Sequence, residues 1–202
     1  MSSVEQRNDA LIIFTKNPEL GKCKTRLAAT TSDEYALKVY QELLRHTREI
    51  ALQLNVRRNL FYSNEINRAD AWQNADFNKY LQHSGNLGER MTEAFQTSFQ
   101  NAERAVIIGS DCASLTPEIV ELAFAKLADY PFVIGPTFDG GYYLLGMQQF
   151  EPLVFTNIEW STESVFEQTA ERFDELNKEY FELEMLSDID YEADWKKYGW
   201  EI

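Results

Sequence analysis

The chain has little with which to build a covalent framework or a transition-metal centre. Only two of its 202 residues are cysteine, Cys23 and Cys112, in unrelated contexts and without a CxxC pair, which excludes a disulfide-stapled framework and fits a reducing cytoplasm. Two histidines, His46 and His83, leave a zinc centre or a Ser-His-Asp hydrolase short of parts, so any metal is expected to be a hard ion on carboxylates. No apolar run approaches the ~20 residues of a bilayer-spanning helix, and the polar start of the chain lacks the apolar segment of a secretory leader. Neither stable membrane insertion nor secretion is expected. Cations are scarce too: 19 Lys and Arg stand against 33 Asp and Glu, a formal net charge of −14. Such a surface repels phosphate backbones and anionic headgroups and argues against nucleic-acid partners.

What is present is a folding sequence: 44% of residues are apolar and 13% aromatic, enough burial to offset chain entropy. Apolar runs at 10–14, 60–62, 80–82, 105–108, 132–134 and 142–145 read as strands, with 180–185 strand-like as well. Helical periodicity is clearest at 34–54, where Ala36, Val39, Tyr40, Leu43, Leu44, Thr47, Ile50, Ala51 and Leu54 share one stripe, and recurs at 87–99, 117–128 and 161–173. Thr116-Pro117 is a helix start, a capping hydroxyl before a proline. Strands alternating with helices predict a single domain over residues 1–202, with its core at about 10–195. Its architecture is a three-layer α/β/α sandwich around a mainly parallel, mixed sheet. There is no repeat, low-complexity tract or linker. Ligands of such folds gather beyond the carboxyl ends of the strands.

Four segments there carry chemistry. Residues 16–27, KNPELGKCKTRL, hold Lys16, Lys22, Lys24 and Arg26 with the single acid Glu19, a local +3 inside a protein of −14. A cationic Pro/Gly loop after a strand can wrap a diphosphate, which makes Thr15, Lys16, Gly21, Lys22 and Thr25 candidate nucleotide-binding residues. The spacing is neither GxxxxGK[ST] nor GxGxxG, and a solvated turn is the plain alternative. In residues 107–116, IIGSDCASLT, Asp111 follows an apolar strand and suits Mg²⁺ or Mn²⁺ against phosphate, or else a turn or cap. Residues 135–146, GPTFDGGYYLLG, offer Asp139 as a carboxylate for the acceptor, or an ordinary hairpin turn. Residues 188–195, DIDYEADW, put Asp188 and Asp190 on one side of an extended chain as further metal ligands, or cap a helix. Between these, Gln82, Gly85, Gly88 and Arg90 lie in QHSGNLGERM, where an amide can read a base edge and glycines let backbone approach a ring. His83 reads as a surface residue and His46 as structural.

In this order the blocks resemble the nucleotide-diphospho-sugar transferase superfamily with the glycosyltransferase-A fold. The likeness is greatest to bacterial glycosyltransferases associated with radical-SAM and selenium-domain proteins and linked to arsenosugar biosynthesis. KNPELGKCKTRL is similar to that family's KxPxxGxxKTRL, GNLGERM to GxLGxRM, IGSDCASLT to G[ST]DCPxLT and GPTFDGGYYLLG to GPxxDGGYxLxG. WST at 160–162 and DIDYEADW match the remaining blocks. Ala113 departs from the pattern, which has proline there.

The resemblance implies that Lys16, Lys24 and Arg26 contact phosphates, that Gln82 with Gly85 and Gly88 frames the base, and that Asp111 holds the metal with Asp190 as the second acidic ligand. It gives His83 and Cys112 no catalytic role. The expected activity is metal-dependent glycosyl transfer from a nucleotide-sugar to a small-molecule acceptor, with Lys24, Arg26 and Asp139 as catalytic residues and Mg²⁺ or Mn²⁺ as cofactor. The alternatives are a guanylyl- or cytidylyltransferase-like nucleotidyltransferase releasing pyrophosphate from an NTP, and a non-catalytic nucleotide- or sugar-binding module. A homo-oligomer is compatible with either enzyme. The tail 161–202, with 13 acids and 4 bases, carries most of the negative charge, so the cationic loop stands alone as an anion site.

Overall fold

In the first strand, β1 (Asp9–Thr15), alternation sends Leu11 and Ile13 to one face of a sheet and Ala10 and Ile12 to the other, and all four are fully buried. A strand apolar on both sides has to be covered on both sides, and the remaining elements supply the covers. The computed structural model describes residues 8–202. After β1 come a one-turn helix α1 (Thr25–Ala28), the long α2 (Asp33–Gln53), β2 (Arg57–Tyr62), β3 (Asn78–Leu81), α3 (Leu87–Phe99), β4 (Arg104–Ile108) and α4 (Pro117–Lys126). The chain continues through β5 (Phe132–Pro136), β6 (Tyr142–Met147), a 3₁₀ turn (Pro152–Phe155), α5 (Val165–Glu175), β7 (Tyr180–Glu182) and α6 (Glu192–Tyr198).

The seven strands form one sheet in the order β3-β2-β1-β4-β6-β5-β7, in which β6 alone runs against its neighbours β4 and β5. Leu11 and Ile13 pack with Tyr40 and Leu44 of α2 and with Val120 and Phe124 of α4. Ala10 and Ile12 pack with Met91 and Phe95 of α3 and Phe173 of α5. The result is the expected mainly parallel mixed sheet between two helical layers. Three helices start as their sequence dictates: Ser32 caps α2, Thr116 caps α4 ahead of Pro117, and Asn86 with Glu89 closes a reciprocal capping box on α3.

Element bounds differ from the sequence reading where polarity hides a strand. β2 begins at Arg57, ahead of the apolar run, because Arg57 and Arg58 lie towards solvent while buried Asn59 is satisfied by the Ser98 hydroxyl (2.9 Å) and the Asn78 amide (3.1 Å). β7 stops at Glu182, after which the chain still follows β5: Leu183 N–H donates to Ile134, Leu186 N–H to Pro136, and Phe138 N–H to Leu186. α5 starts at Val165, since Ser161 has left-handed backbone (φ 68°) and belongs to the preceding loop.

Candidate active site

A third apolar cluster fixes the geometry of the site. Leu27 of α1, Val39 and Leu43 of α2, Ala113, and Trp195 of α6 enclose Ile189, which has no exposure. Neighbouring side chains on an extended strand point to opposite sides, so burying Ile189 turns Asp188 and Asp190 outward. An antiparallel bridge between Cys112 and Asp188, with Ile189 N–H on Asp111 C=O (2.8 Å), sets this tail across the carboxyl end of β4. The carboxylates of two distant segments thus meet at the ends of β1 and β4.

The loop after β1 meets them from the other side. Lys24, in left-handed conformation (φ 48°, ψ 47°), extends a side chain only 6% exposed and places Nζ 2.5 Å from Asp111 Oδ1 and 3.9 Å from Asp190 Oδ1. Burial pulls the Lys24 ammonium downward, but Asp111, Asp190 and Asp188 offset this and hold it above the ordinary lysine range. Arg26 binds Asp190 Oδ2 at 2.7 Å. Asp188 forms no ion pair among the described residues; burial, then the negative charge of Asp111, push its pKa up to about 7. The loop is tied down by Tyr40, whose hydroxyl accepts from Lys16 N–H (2.9 Å) and donates to Lys16 C=O (3.1 Å). Cys23 Sγ accepts from Glu19 N–H at 3.4 Å.

These groups line a cleft of about 590 Å³. Of the predicted residues, Thr15, Lys16, Lys22, Lys24, Thr25 and Arg26 line it, as do Gln82, Arg90, Asp111, Asp188 and Asp190. Lys16 and Arg90 have no carboxylate partner among the described residues, whereas Lys22 is paired with Glu19 at 2.6 Å. A second compartment of about 750 Å³ adjoins the first, sharing Arg26, Tyr142, Ser161, Asp188 and Asp190 as a common wall. Asp139 lies there rather than in the first. Its Oδ1 accepts from the Thr137 hydroxyl (2.5 Å) and Gly141 N–H (3.2 Å), so it builds the β5–β6 turn and also faces the compartment.

The cleft does not gather every residue singled out in the sequence. Gln82 does not present a free amide: its Nε2 donates to Phe61 C=O (3.0 Å) and Thr15 C=O (3.4 Å), leaving Oε1 to receive Arg90 (3.4 Å). It orients Arg90. Gly21, Gly85 and Gly88 do not line the cleft. Gly21 sits beside Asp33, Gly85 in the loop of the α3 capping box, and Gly88 is where the Trp160 indole approaches so closely that a Cβ would lie 2.6 Å from Nε1. His83 is exposed beside Glu93 (3.5 Å), and His46 binds Leu115 C=O (2.9 Å). Burial, with Asp188 nearby, pushes the Cys112 thiol up to about 12, away from nucleophilic use. Tyr40 and Trp160 escaped sequence reasoning as site residues: Tyr40 was one member of a helix stripe, and nothing local ties it to Lys16.

The donor set fits a hard divalent ion. Among the described residues no group of three or more His, Cys, Asp and Glu is gathered tightly enough to hold a metal, so Asp111, Asp188 and Asp190 are not a preassembled three-carboxylate cage. Mg²⁺ and Mn²⁺ do not need one when phosphate oxygens and water complete the shell. Two carboxylates facing a cleft, one of them the half-buried Asp188 that forms no ion pair among the described residues, are a suitable pair. Among the described residues no helix is long and apolar enough to cross a membrane.

Fold and cleft together define a transferase of the nucleotide-diphospho-sugar transferase class. A protein from Desulfovibrio desulfuricans G20, provisionally named a nucleotide-diphospho-sugar transferase, superposes with a TM-score of 0.85 at 30% identity over 92% of this chain and 83% of that one. The chain belongs to the family described as "Uncharacterized protein conserved in bacteria (DUF2064)", which matches residues 46–162. Two further structures share the fold at 12% identity. Rv0371c from Mycobacterium tuberculosis H37Rv, in complex with manganese, has a TM-score of 0.58 and covers 95% of this chain and 97% of its own. CMP:2-keto-3-deoxy-manno-octonic acid synthetase, complexed with CTP, has 0.59 over 94% and 95%. No curated protein matches the chain.

Proposed function

We propose that the chain is a metal-dependent glycosyltransferase that moves a sugar from a nucleotide-sugar donor to a small-molecule acceptor. The observation that carries this reading is the Lys24–Asp111 pair: a buried ammonium of the cationic loop touches a carboxylate suited to a metal, at the mouth of the sheet. Lys16 and Arg90, which have no carboxylate partner among the described residues, are the groups to bind the diphosphate. Lys24 and Arg26 stabilise negative charge as the nucleoside diphosphate departs, held in advance by Asp111 and Asp190. Asp111, with Asp188 or Asp190, would hold Mg²⁺ or Mn²⁺, whose contribution is to neutralise charge on the diphosphate. Asp139, across the shared wall, would orient an acceptor hydroxyl through the oxygen its turn leaves free.

The runner-up is nucleotidyl transfer, in which the same cations bind an NTP and the leaving group is pyrophosphate. It draws on the number of cations at the cleft, enough for a triphosphate, and on the CTP complex of the fold neighbour. The adjoining acidic compartment favours the first reading, because a phosphate acceptor is the co-substrate it suits least. One assay separates the two. Nucleoside diphosphate released from a nucleotide-sugar with Mg²⁺ or Mn²⁺ supports glycosyl transfer; pyrophosphate released from NTP and a sugar phosphate supports the other.

A further inference from the structure

The second compartment combines two recognition chemistries. The first is aromatic. Trp160 lies half-buried in its wall with the nitrogen edge of its indole packed over Gly88 and the ring lining the compartment. Phe138 and Tyr191, 66% and 53% exposed, flank the same space. Large rings left in solvent around a concavity are the usual means of holding the apolar face of a ring-shaped ligand.

The second is charge. Asp139 and Glu163 line the compartment with Asp188 and Asp190 of the shared wall, and Arg26, the one lining cation among the described residues, is already engaged by Asp190 at 2.7 Å and by the face of Tyr191. Asp194 contributes less, since one of its oxygens receives Asp190 N–H and Tyr191 N–H. Neutralising Asp188 and Asp190 from the nucleotide side would still leave Asp139 and Glu163 facing the ligand.

We propose that this compartment is the acceptor subsite and that it takes an uncharged or cationic sugar-like ring, stacked on Trp160, in preference to a phosphorylated one. The inference deepens the glycosyltransferase reading and rests on it for the identity of the first compartment as the donor site. The two cavities supply opposite environments, cationic for the nucleotide and acidic for its partner. A phosphorylated acceptor would meet at least Asp139 and Glu163 and, among the described residues, no free cation, a like-charge juxtaposition that discriminates between ligands of the same shape.

Glucose, glucosamine and glucose 6-phosphate present one ring in three charge states. Their affinities are to be measured by saturation-transfer NMR on the whole chain, with Mg²⁺ and saturating inorganic pyrophosphate to occupy the cationic cleft. The expected order is glucosamine, then glucose, each binding at least about tenfold more tightly than glucose 6-phosphate. Trp160→Leu weakens all three by about tenfold, and Glu163→Gln, at an exposed position, narrows the gap between glucosamine and glucose 6-phosphate without affecting the fold. Equal or tighter binding of glucose 6-phosphate, no binding of any of the three, or a gap unchanged in Glu163→Gln overturns the inference. The two proposals fail separately. Sugar binding in this order with no release of nucleoside diphosphate from any nucleotide-sugar counts against glycosyl transfer. Turnover onto phosphorylated acceptors counts against the acceptor subsite and leaves the donor site standing.

Discussion

Lys24 and Asp111 join the first and fourth strands of the sheet through one ion pair, Nζ to Oδ1 at 2.5 Å, with the ammonium buried and the carboxylate 46% exposed to the cleft. A buried cation opposite a partly exposed anion is polarised toward the ligand. The pair holds the loop after β1 in register with the acidic tail and leaves one face of Asp111 open to the cleft.

Lys24→Met keeps the aliphatic stem and removes the charge. Three carboxylates then face one another across the cleft with Arg26 as their nearest cation. Turnover is expected to fall by about 100-fold, the scale for losing one prearranged charge donor, with a modest drop in unfolding temperature because Asp111 stays solvated. Steady-state kinetics and thermal unfolding on the same preparation check both.

Tyr40→Phe tests whether the helix behind the loop shapes the site. The phenolic oxygen serves both the N–H and the C=O of Lys16; the C=O keeps the Thr15 hydroxyl at 3.3 Å, so removal leaves the N–H without a partner at a cost of about 1–3 kcal/mol. Because Tyr40 holds the backbone of Lys16 and touches none of the three candidate metal carboxylates, the expected signature is weaker nucleotide binding with the same dependence on Mn²⁺ concentration. Calorimetric titration with a nucleoside diphosphate at two metal concentrations measures this.

This contact marks a boundary of what could be read from the sequence. The strand cores, the capped helices and the cationic loop were legible because each is written locally, in alternation, in a 3.6-residue period, or in a charge of the opposite sign to its surroundings. Asp188 and Asp190 were read correctly as sharing a side, since alternation fixes that, and the helix start suggested there is also real but begins later, at Glu192. What could not be read is long-range. Tyr40 is a helix-stripe residue until the fold places Lys16 on it, and Gln82 shows a free amide until Phe61 and Thr15 claim its N–H groups. That Gly21, Gly85 and Gly88 stand outside the cleft was hidden for the same reason: the approach of Trp160 to Gly88 is a tertiary fact.

Asp188 gives the metal-free protein a pH signature. Its pKa is raised from 3.8 to about 7 by burial and by Asp111, so the folded state holds this proton more tightly than the unfolded chain. The stabilisation is therefore complete below about pH 4 and is lost as pH rises through about 7. With a chelator present, the unfolding temperature should fall between pH 5 and pH 8 by more in the native protein than in Asp188→Asn, and Mn²⁺ should restore it at pH 8. Parallel profiles for the two proteins would remove Asp188 from the site.

Gly88→Ala places a Cβ 2.6 Å from the Trp160 indole nitrogen at the first turn of α3. The helix itself gains from alanine, so the cost, about 1–3 kcal/mol, comes from displacing the indole. Acceptor affinity should drop with nucleotide affinity unchanged, which two separate titrations resolve.

The most direct measurement is a crystal structure grown with Mn²⁺ and a nucleoside diphosphate, with the metal located by its anomalous scattering. The expected result is a single strong peak bonded to Asp111 and to at least one of Asp188 and Asp190, with the diphosphate between it and Lys16 and Arg90. A peak away from Asp111, or a diphosphate bound in the cleft with no metal on Asp111, would contradict the metal-dependent mechanism.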